Sequence, residues 1–302
     1  MSLGGGLLLV DPETRIAYAN QPDSQGRLAR VGPVLCGEIP QDVNLANTAL
    51  EWAGARWAKI LLPLPEEREV RATLILHELW HGVQDRLGLP ASFAPNNHLD
   101  TREGRYWLQL EWRALAAALA QEGAKRAAAI TDAALFRARR QAIFPGAAEQ
   151  ENAMEMHEGM AEYTGVKLSG AADPARFVIE NELQEAPRKE TFVRSFAYAT
   201  GPAYGLLLDA IGAPWREQLS PQTDLGSTLL RLAQLKLPEK LRPAADQRAL
   251  AYGGPALAAA EERREKEKQR RISGYRARLV EGSVLKIPLR QMKMQFDPGN
   301  LV

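Results

Sequence analysis

His77-Glu78-Leu79-Trp80-His81 is an HExxH pentapeptide, and the rest of the chain is organised around it. On a helix, residues four apart project from one face, so the imidazoles of His77 and His81 stand one turn above the other. Two neutral ring nitrogens at that spacing can reach one metal ion. Glu78 sits beside them, close enough to polarise a metal-bound water. Zn²⁺ suits such a site, because it accepts imidazole nitrogen and carboxylate oxygen in a tetrahedral shell with one open position.

The flanks predict a helix. Pro63 and Pro65 precede the segment, and Glu66, Glu67 and Glu69 place negative charge at the positive end of the helix dipole. Val70, Leu74, Leu79, Val83 and Leu87 recur at helical spacing, with Ile75, Leu76 and Trp80 widening the apolar face, and Gly88 and Pro90 supply a stop. A buried helix carrying two His and a Glu is what a metallopeptidase requires.

The 302 residues suffice for a large core. Hydrophobic residues make up 45 % and charged residues 25 %, as in an ordinary globular protein, and the net charge of +1 gives no global pull toward nucleic acid or a membrane surface. A single cysteine, Cys36, excludes an intrachain disulfide, and it reads as a small buried hydrophobe. There is no run of about 18 apolar residues, so no membrane span is expected. Residues 7–10 are too short and lack the basic leader of a signal peptide. Met1-Ser2-Leu3 also fits a stub left where a leader was removed, so a soluble protein, periplasmic or secreted included, is compatible with the sequence, and the compartment is not readable. Phe296-Asp297-Pro298-Gly299-Asn300 reads as a turn entering something further, as if the natural chain continues.

The expected class is α+β: a mainly helical catalytic domain with a small N-terminal antiparallel sheet and short C-terminal strands. Residues 1–64 form the β subdomain, 65–255 the helical domain, and 256–302 a charged helix and β tail. Strands are expected at 7–10, 15–19 and 28–35, a short helix or turn at 47–56, and an edge strand at 56–64 that runs into the HExxH helix and can pair with an extended peptide. Residues 106–121 and 123–143 predict a helical hairpin, and 148–167 a third helix. Helix or loop follows at 171–184, then helices near 195–208, 214–219 and 225–235. Residues 237–255, with three prolines and two glycines, read as irregular. Residues 256–272 read as a charged surface helix. Residues 275–296 alternate as strands through Ala277, Leu279, Val284, Leu285, Ile287 and Leu289. No internal repeat is apparent.

A catalytic zinc needs a third protein ligand. The metzincin pattern would place Gly at 84 and His at 87. These are Gln84 and Leu87, so that class is excluded. The remaining candidates are carboxylates and His98. Glu111 is a lone acid among large apolar residues, and Asp100 lies in a loop sequence. Glu151, Glu155, Glu158 and Glu162 form one helical stripe, which combines a site group and supporting carboxylates with outer acids in solvent.

Within that helix, His157-Glu158-Gly159-Met160-Ala161 resembles the Asn-Glu-Gly-x-Ala stretch of gluzincins, the HExxH…E metallopeptidases that include thermolysin-like enzymes and zinc aminopeptidases. The resemblance implies that Glu158 is the third ligand, with His157 where the family has Asn. Gly159 and Ala161 are expected to let this helix approach the HExxH helix. Glu111, Glu162, Asp100 and His98 stay as rivals, because the interval from His81 to Glu158 is far longer than in familiar gluzincins. The hairpin of 106–143 would be the insertion. His157 is expected to point away from the metal, as a structural or substrate-pocket residue. Tyr198, with Gly201 and Asp209, resembles the Tyr-x-x-Gly…Leu-Asp segment of some zinc aminopeptidases, which implies that Tyr198 stabilises an oxyanion; Tyr204 is its neighbour candidate. The resemblance covers about residues 56–209.

The expected function is a zinc-dependent peptidase acting on a peptide or protein substrate, with Zn²⁺ on His77, His81 and Glu158 and with Glu78 as general base. The alternative is an inactive zinc-bearing scaffold of the same fold. A third possibility is a helical interaction protein with a chance pentapeptide, in which the two His rings would not converge with Glu158. Substrate identity, endo- or exo-cleavage and oligomeric state are not readable.

Overall fold

The computed structural model describes residues 3–283, 285 and 288. The class is α+β. Six strands form one sheet: β1 (Gly6–Val10), β2 (Ile16–Ala19), β3 (Ala29–Val31), β4 (Val34–Glu38), β5 (Thr48–Trp52) and β6 (Ala55–Leu61), in the order β3-β4-β2-β1-β6-β5. The sheet is mixed, not antiparallel as expected, because β6 pairs parallel to β1 while every other neighbour is antiparallel. After β4 the chain crosses to the far side of β1 and descends as β5, so β6 returns in the direction of β1.

Two expectations are corrected here. Residues 47–56 are not a helix, and the turn is confined to Ala53-Gly54, where it closes a tight hairpin between β5 and β6. Ala53 (φ 53°) and Gly54 (φ 73°) are both left-handed, the backbone that matches the twist of a two-residue hairpin. Gly at the second position is the ordinary signal. Ala at the first is uncommon, which hid the turn. As a result β6 is not an edge. It lies between β1 and β5, and Trp57, Ala58, Lys59 and Ile60 are all buried. The edges are β3 and β5, and β5 is the one beside α1. On one face Leu8, Val10, Ala17, Ala19, Ile39 and Trp57 form a core of their own.

The helical layer begins with α1 (Arg68–His81), which packs on β5, β6 and a distant helix. α2 (Arg102–Ala120) and α3 (Gly123–Ile143) form the expected hairpin. α4 (Ala147–Met154) and α5 (Met160–Leu168) are one helical rod interrupted by a wide turn at Glu155–Gly159. α6 (Pro174–Val178) continues into a second wide turn at Ile179–Leu183, and α7 (Phe196–Ile211) and α8 (Leu225–Leu232) follow. α9 (Leu241–Ala249) overturns the irregular reading of 237–255. Pro243 stands in its first turn, where a backbone N–H has no partner to lose, and Pro255 does the same in α10 (Gly254–Arg276). Residues 275–281 continue helically instead of forming a strand. Val284, Ile287 and Leu289 lie outside the described residues. No described helix is long and apolar enough to cross a membrane.

The hairpin covers α4 and thereby buries a set of charges. Arg137 grips Glu155 with two bonds (2.8 and 2.7 Å) and reaches Asn152 (2.8 Å). Arg140 grips Glu151 (2.8 and 2.8 Å) and Glu111 (2.5 Å), and the Tyr204 hydroxyl donates to Glu111 (2.7 Å). Arg140, Glu111, Glu151 and Glu155 have no exposed surface. The outer acids of the glutamate stripe are therefore not solvated, because α2 and α3 lie over them.

Arg140→Met would leave two carboxylates buried without their cation, and we expect a cost of about 3–5 kcal/mol in urea unfolding. Burial alone would raise the Glu151 carboxyl, but Arg140 and the bond from His98 hold it well below the ordinary carboxylate range. A lowered folded value contributes stability above the unfolded value of about 4.3, and that contribution is lost as pH falls below it. Wild-type stability is accordingly expected to drop from pH 5 to pH 3 more steeply than that of the Arg140→Met variant.

Candidate metal centre

The inner face of α1 buries Thr73, His77, Glu78 and His81 against α5. The close approach rests on Gly165, where a Cβ would lie 2.6 Å from the Thr73 carbonyl oxygen. This corrects the role expected of Gly159. Gly159 faces α7, with an added Cβ 3.0 Å from the Gly201 Cα, and a side chain at Gly201 would press into the Gly159 backbone. The Gly159–Gly201 crossing brings Tyr198 against the wide turn that carries Glu158.

Three ligand atoms converge. His77 Nε2 lies 3.1 Å from His81 Nε2, and Glu158 Oε2 lies 3.3 Å from the first and 3.7 Å from the second. Donors held about 2.0–2.1 Å from a tetrahedral ion sit about 3.3 Å apart, so the triangle fits a small ion with a fourth position left over. His77, His81 and Glu158 form the group that could hold a metal ion among the described residues.

Each of the three side chains is oriented by a second contact. His77 Nδ1 is 2.7 Å from Glu162 Oε2, so its Nε2 is turned to the centre. His81 Nδ1 is 2.9 Å from Gln84 Oε1. Glu158 Oε1 accepts from Arg194 (2.6 Å) and lies 2.9 Å from His157 Nε2, while the Tyr198 hydroxyl donates to Oε2. The Tyr198 ring stacks on His77, 5.2 Å between centroids and 10° from parallel.

Charges are tuned by this packing. Burial disfavours a charged His77, but the hydrogen bonds it donates to the Glu158 and Glu162 carboxylates outweigh that and raise the ring to about 10. A metal must therefore displace a proton here. Burial opposes ionised Glu158, yet its contacts with His157, His77 and His81 and the Arg194 charge hold it below the carboxylate range. Glu78 moves the other way: burial raises it, against the pull of His77 and His81. It is 5 % exposed, and its Oε2 has no hydrogen-bond partner. Glu182 is raised well above its usual value by burial and by the Glu162 charge. Burial and the Glu158 charge likewise keep Tyr198 a hydroxyl.

The rivals for the third ligand are engaged elsewhere. Glu111 belongs to the Arg140 network, and His98 lies 2.8 Å from Glu151. Asp100 accepts from the Phe192 amide (2.7 Å) and the Thr191 hydroxyl. Glu162 supports His77. Tyr204 is buried on Glu111, away from the centre. Asp209 anchors Tyr163 (2.8 Å), Lys167 (2.8 Å) and Arg216 (2.5 Å). His157 lines the cavity, but it does not point away from the centre: its Nε2 lies 2.9 Å from Glu158 Oε1 and its ring 4.8 Å from that of His81.

Sequence reasoning missed Gln84 and Arg194. Gln84 lies three residues past His81 and Arg194 four before Tyr198, helical spacings that put each within reach of a site residue. A cavity of about 830 Å³ opens over the centre, walled by Glu78, His157, Phe93, Arg194, Tyr198 and the chain from Asn44 to Ala49, which includes the start of β5. No family model, curated protein or solved structure gives a significant match to this chain.

Glu158→Ala is expected to abolish stoichiometric metal binding in equilibrium dialysis, whereas His98→Gln should retain it. Retention by the first variant would remove Glu158 from the ligand set.

Proposed function

We propose that this chain is a zinc-dependent hydrolase of peptide bonds with a zincin-like catalytic domain. The observation that carries the proposal is the triangle of His77, His81 and Glu158 atoms beside the unpartnered Glu78 carboxylate at the wall of the cavity. Two imidazoles and one carboxylate are a donor set that suits Zn²⁺ and leaves one coordination position open. Convergence with Glu158 is also what a chance pentapeptide on an interaction helix would lack.

Bound zinc would supply Lewis acidity, lowering the pKa of a water in the open position. The chain's own groups then divide the work. Glu78, in a dry wall and with a raised proton affinity, takes a proton from the attacking water and returns it to the leaving amine. Tyr198, held as a hydroxyl, donates to the oxyanion. Arg194 and His157 keep Glu158 in place. The β5 edge lies along the same cavity, with one side paired to β6 and the other open, so an extended peptide can add to it by main-chain hydrogen bonds.

After zinc loading, elemental analysis should return one zinc per chain, and a peptide library should be cleaved. Glu78→Gln should keep the zinc and lower kcat by about 10²–10⁴-fold. No stoichiometric metal in the wild type would overturn the proposal. Metal without cleavage would leave an inert zinc-bearing scaffold. Tyr198→Phe is expected to cost roughly 10²–10³ in kcat with the zinc retained.

A further inference from the structure

Gln84 opens the short turn that follows α1 and is 3 % exposed. Its amide touches two imidazoles: Oε1 lies 2.9 Å from His81 Nδ1, and Nε2 lies 3.1 Å from His157 Nδ1. His157 Nε2 in turn lies 2.9 Å from Glu158 Oε1. The direction of every bond in this chain follows from the first. His81 Nε2 faces the centre as a lone pair, so its ring hydrogen is on Nδ1 and requires an acceptor, the Gln84 oxygen. The Gln84 amide then presents only hydrogens to His157 Nδ1. That nitrogen must accept, which places the His157 hydrogen on Nε2, aimed at Glu158 Oε1.

The same Oε1 accepts from Arg194 at 2.6 Å. Two charged or polar donors thus fill both of its acceptor directions. Oε2 is left as the oxygen that faces the two histidine Nε2 atoms.

We propose that Gln84 and His157 are positioning residues that restrict Glu158 to coordination through Oε2 alone. A carboxylate that binds through both oxygens takes two positions around an ion; one that binds through a single oxygen leaves a position for water. Gln84 sets the tautomer of His157, His157 occupies Oε1, and the centre stays open. The role rests on the proposal that His77, His81 and Glu158 bind a metal.

The sequence contains only four histidines, so their imidazole ¹⁵N–¹H correlations can be assigned one by one, with His98→Gln marking the fourth. In the zinc-loaded protein His81 should carry its hydrogen on Nδ1 and His157 on Nε2. Gln84→Glu keeps an acceptor for His81 but removes the donor to His157. In that variant His81 should be unchanged and His157 should shift its hydrogen to Nδ1. Cobalt-loaded Gln84→Glu and His157→Phe should show a several-fold weaker visible absorption than the wild type, as Glu158 adds its second oxygen. Zinc affinity should fall by about 10–100-fold. Gln84→Met, which removes both contacts, serves where the Glu variant does not fold. Metal-loaded wild type with the His157 hydrogen on Nδ1, or an unchanged cobalt spectrum in the variants, overturns the role of Gln84 alone. Wild type that takes up neither cobalt nor zinc overturns the metal centre and this role together.

Discussion

Three buried donor atoms from two helices can meet within 4 Å only if the helices that carry them nearly touch. That constraint governs the architecture. Gly165 brings the backbone of α5 under Thr73 of α1, and the Gly159–Gly201 crossing brings α7 against the turn that bears Glu158. The wide turn at Glu155–Gly159 adds a further adjustment, because an extra residue in one turn shifts which side chains face inward, and such turns are frequent at functional sites. Here it presents His157 and Glu158 together, one to the cavity and one to the centre.

Bringing so many ionisable groups out of water is expensive unless each is paired. The chain meets this with two separate sets of partners. Around the centre, Glu162, Gln84, His157 and Arg194 occupy the polar atoms that His77, His81 and Glu158 do not turn inward, and Tyr198 donates to the inward Glu158 oxygen. Beneath it, Arg137 and Arg140 neutralise Glu111, Glu151 and Glu155 and tie the α2–α3 hairpin to the rod that carries Glu158. Glu78 stands outside both sets. One of its oxygens is buried with nothing to bond, the observation on which its proposed role as a base rests.

The sheet contributes through its edge rather than its centre. The crossover that makes β6 parallel to β1 places β6 in the interior and leaves β5 outermost, alongside α1. An open strand beside the cavity is thus a consequence of strand order, which no local pattern in the chain reveals.

HExxH, the flanking carboxylates and the apolar spacing were enough to place His77, Glu78 and His81 on the buried face of one helix, since helical periodicity is a local property. The hairpin of 106–143 and the rod of 148–167 were legible for the same reason. The short hairpin at Ala53-Gly54 and the helix across Pro243 were not, because each uses a residue that usually argues against the structure it forms. Glu158 was separable from Glu111, Asp100 and His98 only by resemblance until the fold paired each rival with its own partner. Local pattern alone settled which helix carries His77, Glu78 and His81. Which carboxylate joins them, which strand lies outermost beside the cavity, and how Arg194 and Tyr198 meet at Glu158 and Gln84 at His157 were decided by tertiary packing, because those contacts join residues dozens of positions apart through glycine crossings whose partners the chain does not name.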